Sequence, residues 1–189
     1  MDTKSLLSWS ADGPEYRAGV STPGIRRFVV ASLQRDHPQS ILDLGCGVGL
    51  YGYMIRKFVM PAPYLVGMDA WQPYLETGYC SLYDELICAD VFDVVNGKSD
   101  VHFDTVLCMD VLEHFERGRA RALSDWLLEQ PRAYMSTPLF DFPQDAVEGN
   151  EYERHRSHYE MDELVGWGWR PLAKVRYQDD YWIGAFKNG

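Results

Sequence analysis

The apolar positions of the chain fall into two alternating patterns: short unbroken runs, and longer stretches at helical spacing. Residues 40–44, 64–68, 86–89, 105–109 and 133–136 are mostly apolar runs, with the length and texture of strands buried on both faces. Between them, residues 25–35 repeat Phe28, Val29 and Leu33, residues 50–59 are helix-length, and residues 119–128 gather Ala122, Leu123, Trp126 and Leu127 on one side. Strands alternating with helices predict an α/β fold with a parallel, doubly wound sheet.

The last third departs from this rhythm. Residues 138–156 are polar, rich in turn formers and longer than an ordinary connection, so they form a loop that is either functional or disordered. Residues 161–168 read as a short helix ended by glycine. Two β-like runs follow, 171–177 and 181–186, separated only by Gln178, Asp179 and Asp180. That spacing predicts an antiparallel hairpin closing one edge of the sheet.

Composition narrows the class. The length of 189 residues suits one domain with a sizeable core, and 46% hydrophobic with 14% aromatic residues excludes a disordered or fibrous chain. No window approaches the roughly eighteen uninterrupted apolar residues of a membrane span, and the first residues lack a basic patch followed by an apolar stretch, so the expected location is cytoplasmic. A net charge of -10, from 18 basic and 28 acidic residues, repels a phosphate backbone and argues against nucleic acid as partner. Cys46, Cys80, Cys88 and Cys108 form no CxxC pair and are expected to be reduced, mostly packed thiols.

The chemistry starts at Asp43-Leu44-Gly45-Cys46-Gly47-Val48-Gly49, which follows an apolar strand and opens a helical pattern. Glycines at alternate positions let backbone approach a ligand closely and adopt angles closed to other residues, so the segment predicts a nucleotide-type cofactor turn. Residues 47–52 also satisfy GxGxxG, and Asp69 lies twenty residues after Gly49, so an NAD(P)-dependent oxidoreductase is permitted. Against it stands Asp43, two residues before the first glycine, where an anion would repel a pyrophosphate but attract an ammonium group.

These residues resemble the first motif of the class I S-adenosylmethionine-dependent methyltransferases, and the resemblance extends along most of the chain. Gly67-Met68-Asp69 is similar to that family's second-strand acid, Cys88-Ala89-Asp90-Val91 to its third-strand acid, and residues 103–114 to its fourth-strand segment. The resemblance implies a Rossmann-like, seven-stranded sheet whose last strand is antiparallel. It also implies that Gly45, Gly47 and Gly49, with Asp43 and Cys46, line the methionine part of S-adenosylmethionine. Asp69 beside Ala70 would take the ribose hydroxyls, Asp90 the adenine amino group, Val91 would pack the ring, and Asp110 would complete the cofactor set. On this reading residues 1–189 are a single domain, with an N-terminal segment and helix (1–38), a cofactor core (39–137), a substrate loop (138–160) and a C-terminal helix and hairpin (161–189).

Two clusters of acids and histidines flank that core. In helical geometry Asp110, Glu113 and His114 would face one way, as a site for a divalent cation or with the histidine as base. This segment resembles the ExxEH sequences of metal-using ubiquinone-pathway and small-RNA methyltransferases, although many methyltransferases with a similar LEH sequence use no metal. The second cluster, residues 149–159, holds Asn150, Glu151, Glu153, His155 and His158 and is similar to the GNxxExHxS pattern of bacterial and phage methyltransferase-like proteins. The expected catalytic residues are His114, His155 and His158. The expected ligands of Mg2+ or Mn2+ are Asp110, Glu113, His114 and His158. Residues 141–163 contain eight acids and two arginines, a rim suited to a metal or cationic substrate.

The sequence thus predicts O-methylation of a small metabolite or glycan end, by histidine base or metal assistance. RNA 2′-O-methylation, an NAD(P) oxidoreductase and a non-catalytic cofactor-binding subunit are the alternatives, and the sequence carries no signal for oligomeric state. Among aromatics, Trp167 and Trp169 are expected to be structural, while Trp9, Tyr16, Phe28, Trp71 and Tyr74 either close over the cofactor or pack.

Overall fold

The structure is a computed structural model that describes residue 19 and residues 21–97, 102–177 and 181–188. Trp9 and Tyr16 lie outside the described residues. Seven strands form one sheet: β1 Ser40–Leu44, β2 Tyr64–Asp69, β3 Glu85–Cys88, β4 Thr105–Met109, β5 Ala133–Pro138, β6 Arg170–Tyr177 and β7 Tyr181–Lys187. Their order is β3-β2-β1-β4-β5-β7-β6. β1 to β5 pair parallel, and β7 runs antiparallel to both β5 and β6. The expected seven-stranded α/β sheet with an antiparallel last strand is therefore present.

Period-two alternation along the strands fills two cores. Ile41, Leu65 and Leu107 turn to the face covered by α1 (Pro23–Asp36) and α2 (Leu50–Phe58), whose core also takes in Leu75 of the one-turn α3 (Gln72–Leu75). Leu42, Val66, Val106 and Cys108 turn to the other face, under α4 (Val91–Val95), α5 (Arg117–Leu128) and α6 (Met161–Trp167). Trp169 is 1% exposed in that second core and donates from Nε1 to Ser124 Oγ at 2.8 Å, which makes it structural as expected. Trp167 packs edge-on against Tyr159, and Phe28 lies half-buried under the Arg27 guanidinium.

β3 departs from the expectation of burial on both faces. It is the sheet edge, Leu86 is 37% exposed, and Cys88 is the one exposed cysteine of four free thiols. No helix among the described residues is long and apolar enough to cross a membrane.

At the amino ends of the strands, away from the chain reversals that build a cleft, Asp36 ties three elements together. Its Oδ2 accepts from Tyr134 Oη on β5 and from Lys187 Nζ on β7 at 2.9 Å, and Arg132 Nε lies 3.2 Å away. Burial works to raise this carboxyl, but the Tyr134 hydrogen bond and the Lys187 and Arg132 charges outweigh it and hold the pKa at about 2.

Between β1 and β4 the strand order reverses. In an open α/β sheet the crevice outside the carboxyl ends of the strands at such a reversal is where ligands bind. The loops that leave β1, β2, β4 and β5 meet there.

Candidate functional site

A cleft of about 260 Å3 opens at this reversal. Asp43, Gly45, Cys46, Gly47, Asp69, Ala70, Asp90, Val91 and Asp110 line it, so the structure gathers all but Gly49 of the sequence-predicted cofactor residues on one wall. Gly49 instead sits at the start of α2, where an added Cβ would come within 2.9 Å of Cys80 backbone.

The turn after β1 requires glycine for reasons of packing. Gly47 has φ +54, and a Cβ there would lie 2.3 Å from the Gly19 carbonyl oxygen. That carbonyl accepts from Val48 N–H at 3.1 Å, so the chain at residue 19 lies directly over the glycine turn. Gly47 N–H in turn donates to Asp69 Oδ2 at 2.9 Å, which ties the ends of β1 and β2 together.

Each acid has a defined local role. Asp43 is buried, accepts from Tyr83 Oη, and is driven by burial to a pKa of about 7, with the Asp69 charge adding to the rise against the Tyr83 bond. Asp69 is raised by burial, opposed by the amides of Trp71 and Gly47. Asp90 caps α4 through Oδ1, which accepts from Phe92 N–H at 2.9 Å and leaves Oδ2 for a ligand. Asp69 differs, since Oδ1 accepts from Trp71 N–H at 2.8 Å and Oδ2 from Gly47 N–H at 2.9 Å, so each of its oxygens already holds one backbone amide at the cleft wall.

The segment after β4 differs from the expected α-helix. Asp110 is left-handed, at φ +56, and Leu112–His114 is a single 3-10 turn, so Asp110 does not share a helical face with Glu113 and His114. Its carboxylate is engaged by Thr22 N–H at 2.8 Å and by the Ser136 hydroxyl, which fixes the start of α1 over the cleft. The residue that joins Glu113 and His114 is His155. One ligating atom from each of the three lies within 4.8 Å of the others. His158 is on the surface, 3.7 Å from Asp141 and outside the cleft lining.

The histidine pair is held by the backbone. His155 Nδ1 meets the Phe142 carbonyl at 2.6 Å and His114 Nδ1 meets the Arg154 carbonyl at 3.4 Å, with ring centroids 4.9 Å apart. A carbonyl only accepts, so in the neutral ring His155 Nδ1 carries the proton and its Nε2 keeps a free lone pair, whereas His114 also hydrogen-bonds the Asp110 backbone. Burial, then the neighbouring His155, lowers His114 to about 4, and burial also lowers His155. Behind them Glu113 is 2% exposed. Its Oε2 accepts from Thr137 Oγ1 at 3.0 Å, Oε1 has no hydrogen-bond partner, and burial, then Asp110, pushes its carboxyl well up.

The long loop after β5 is folded over this cleft. A tight turn from Val147 to Asn150, with Glu148 and Gly149 both left-handed, leads into a 3-10 turn at Glu151–Glu153. Arg156 and Ser157 N–H both donate to the Glu113 carbonyl. Phe142 lies edge-on to His155, at 5.4 Å. The sequence named Glu153 in the second cluster and Tyr74 among the aromatics that close over the cofactor or pack, but it did not pair them, and it did not single out Tyr83. Glu153 Oε1 accepts from Tyr74 Oη at 2.8 Å and from Gly19 N–H at 3.1 Å, contacts separated by 79 and 134 residues that leave no local signal.

Comparison with known proteins agrees with this geometry. Residues 42–127 match the family model described as a methyltransferase domain. Curated proteins give no match. Among solved structures, the chain is similar to the 1,6-didemethyltoxoflavin-N1-methyltransferase of Burkholderia thailandensis, solved with its substrate and S-adenosylhomocysteine. They share 16% identity over 86% of this chain and 77% of that one, with a TM-score of 0.58. It is similar to the magnesium protoporphyrin IX methyltransferase of Synechocystis with bound S-adenosylmethionine, at 18% identity, 88% and 79% coverage and a TM-score of 0.57. The N-terminal domain of EvdMO1 with S-adenosylhomocysteine gives 15%, 89%, 82% and 0.63. Residues 42–127 match the methyltransferase-domain model, and the chain has the fold of the class I S-adenosylmethionine-dependent methyltransferases.

Proposed function

We propose that this protein transfers the methyl group of S-adenosylmethionine to an oxygen of a small-molecule or glycan acceptor, with His155 receiving the proton. The observation that carries the reading is the shared cleft. The glycine turn, Asp69 and Asp90 line one part of it, and His114 together with His155, whose Nε2 keeps a free lone pair, lines another. The residues fit the cofactor. Asp90 Oδ2 is left for a ligand, and the buried Tyr51 hydroxyl, also in the cleft lining, has no hydrogen-bond partner.

Bound S-adenosylmethionine supplies an electrophilic methyl carbon on a sulfonium. The chain has to orient the acceptor in line and take its proton as the S–CH3 bond breaks and the O–CH3 bond forms. His155 Nε2 is the proton acceptor, because the Phe142 carbonyl holds Nδ1–H and fixes the tautomer. His114 is the more buried imidazole and lies closer to Glu113's role as a ligand than to that of a free base. Asp43, Asp69 and Asp90 favour a cationic ligand over a pyrophosphate, which separates this reading from a nicotinamide dinucleotide.

The same corner fits a divalent cation. Glu113, His114 and His155 would hold it, since the orphaned Glu113 Oε1 is a buried acceptor in need of a positive partner and both imidazoles are oriented by carbonyls. Two nitrogen donors suit Mn2+ better than Mg2+. Such an ion would take up the His155 Nε2 lone pair and so stand in place of the histidine base, lowering the pKa of an acceptor hydroxyl instead.

Calorimetric titration with S-adenosylhomocysteine, with EDTA or with added Mn2+, and with NAD as control, tests the reading. Binding of S-adenosylhomocysteine and not NAD is expected, and a separate Mn2+ heat that Glu113→Gln removes would assign the proton step to the ion in place of the His155 base. Retention of NAD in its place would overturn the cofactor assignment. A missing Mn2+ heat would leave His155 alone as the proton acceptor, and unchanged turnover in His155→Ala would remove that role as well.

A further inference from the structure

Two thiols meet at the glycine turn, and nothing in the proposed transfer uses their sulfurs. Cys46 stands between Gly45 and Gly47 and lines the cleft, while Cys80 opens the 3-10 turn Cys80–Leu82 and is fully buried. Their side chains are hydrogen-bonded to one another, and both sulfurs face one oxygen: the Gly47 carbonyl lies 3.9 Å from Cys46 Sγ and 3.6 Å from Cys80 Sγ. The segment that carries Cys80 is pressed against the turn. Thr77 Oγ1 donates to the Val48 carbonyl at 3.0 Å, and a Cβ on Gly49 would lie 2.9 Å from the Cys80 backbone nitrogen. The other two thiols stand apart from this pair, since Cys108 is buried in the core on the opposite face of the sheet and Cys88 is exposed on β3. Two sulfurs already in contact are the arrangement from which a disulfide closes, and the cleft gives a small oxidant a path to one of them.

We propose that Cys46 and Cys80 are a site of reversible oxidation, where a peroxide closes a disulfide that weakens cofactor binding. A peroxide in the cleft oxidises the Cys46 thiol to a sulfenic acid: the sulfur takes one oxygen, the O–O bond breaks and one water leaves. The Cys80 sulfur then attacks the Cys46 sulfur. The S–S bond forms as the S–O bond breaks, and the hydroxide leaves with the Cys80 proton as a second water. Two thiols are oxidised and one peroxide is reduced, and a dithiol reductant reverses the change. The new bond draws the sulfurs to about 2 Å and ends the Cys80 contacts with the Gly47 and Tyr74 carbonyls. Gly45 and Cys46 N–H both donate to the Met68 carbonyl, at 2.8 and 2.9 Å, so the turn is fixed to β2 and deforms when Cys80 pulls on it. The disulfide stands apart from the methyltransferase reading, whereas its effect on the cofactor rests on that reading.

Treatment of the purified protein with hydrogen peroxide, then digestion without reductant and mass spectrometry, tests the bond. A linked pair of peptides carrying Cys46 and Cys80 is expected, and dithiothreitol should separate it. Calorimetry with S-adenosylhomocysteine on the same samples tests the consequence: the oxidised protein should bind about tenfold more weakly, and dithiothreitol should restore the affinity. Cys88→Ser removes the exposed thiol and should change neither result. Peroxide that marks Cys88 but leaves Cys46 and Cys80 unlinked would overturn the proposal, as would a linked protein whose affinity is unchanged. An equal loss of affinity in peroxide-treated Cys80→Ala would assign the effect to oxidation of Cys46 alone and overturn it as well. If Cys80→Ala does not fold, the linked peptides and the affinity of the wild type decide. A reduced protein that binds no S-adenosylhomocysteine would instead overturn the methyltransferase reading, and the linked peptides would still decide the bond.

Discussion

Replacing Asp36 by asparagine removes one negative charge that serves three partners at once: the Tyr134 hydroxyl, Lys187 and Arg132. The carboxyl's ordinary pKa of 3.8 is held at about 2 in the fold, a depression that at about 1.4 kcal/mol per unit corresponds to about 2 kcal/mol of stability at neutral pH. The Asp36 side chain is only 9% exposed, so solvent screening takes little of this away. Asp36→Asn should therefore unfold about 2 kcal/mol more easily in urea at pH 7, and melt roughly 4–8 °C lower. The sign with pH is fixed. A depressed carboxyl pKa contributes stability above the unfolded value, and the contribution disappears as pH falls through the folded value. The gap between wild type and variant should thus be full at pH 7, begin to close near pH 4 and be gone near pH 2. A variant within 0.5 kcal/mol of wild type at pH 7, on the order of a neutral surface change, or a gap unchanged at pH 3, would refute the reasoning.

Two further outcomes follow from the glycine turn and its buried acid. Gly47→Ala places a Cβ against the Gly19 carbonyl in a left-handed position, and should cost about 1–2 kcal/mol in denaturant and more than tenfold in S-adenosylhomocysteine affinity by calorimetry. Asp43 has the opposite pH sign to Asp36. Its pKa rises from 3.8 to about 7, so its contribution is full below about pH 4 and is lost as pH climbs through about 7. Asp43→Asn should flatten that part of the stability profile measured by urea unfolding, and a slope that persists in the variant would show that another group causes it.

The strands and main helices were legible because apolar periodicity is a local property. The five parallel strands lie within one or two residues of their apolar runs, and the hairpin follows from three turn residues between two β-like runs. The wall of glycines and acids that lines the cleft was legible for a different reason: residues at the ends of consecutive strands converge wherever the sheet is parallel. What failed was the extrapolation of helical spacing into residues 110–114. There a left-handed Asp110, fixed by Thr22 and Ser136, redirects the chain and leaves Glu113 facing His155. Between His155 and His158 the sequence offered no distinction. The choice is made by the Phe142 carbonyl and by the two amides that pin the loop to Glu113, all of which are tertiary contacts. Glu153 was legible as a member of the loop cluster but its partners were not, since Tyr74 and Gly19 are 79 and 134 residues distant.

The order of the last two strands governs how the sheet can be completed during synthesis. β7 follows β6 in the chain, yet lies between β5 and β6, so β6 has nothing to pair with until β7 has been made. Until then β5 presents an unpaired edge of buried residues, Ala133 to Pro138, to any other nascent strand. The final zipping step is therefore non-local for β5 and local for β6. A ribosome that stalls between the two strands would leave the parallel part of the sheet formed and its β5 edge open, the state from which this chain is most exposed to aggregation.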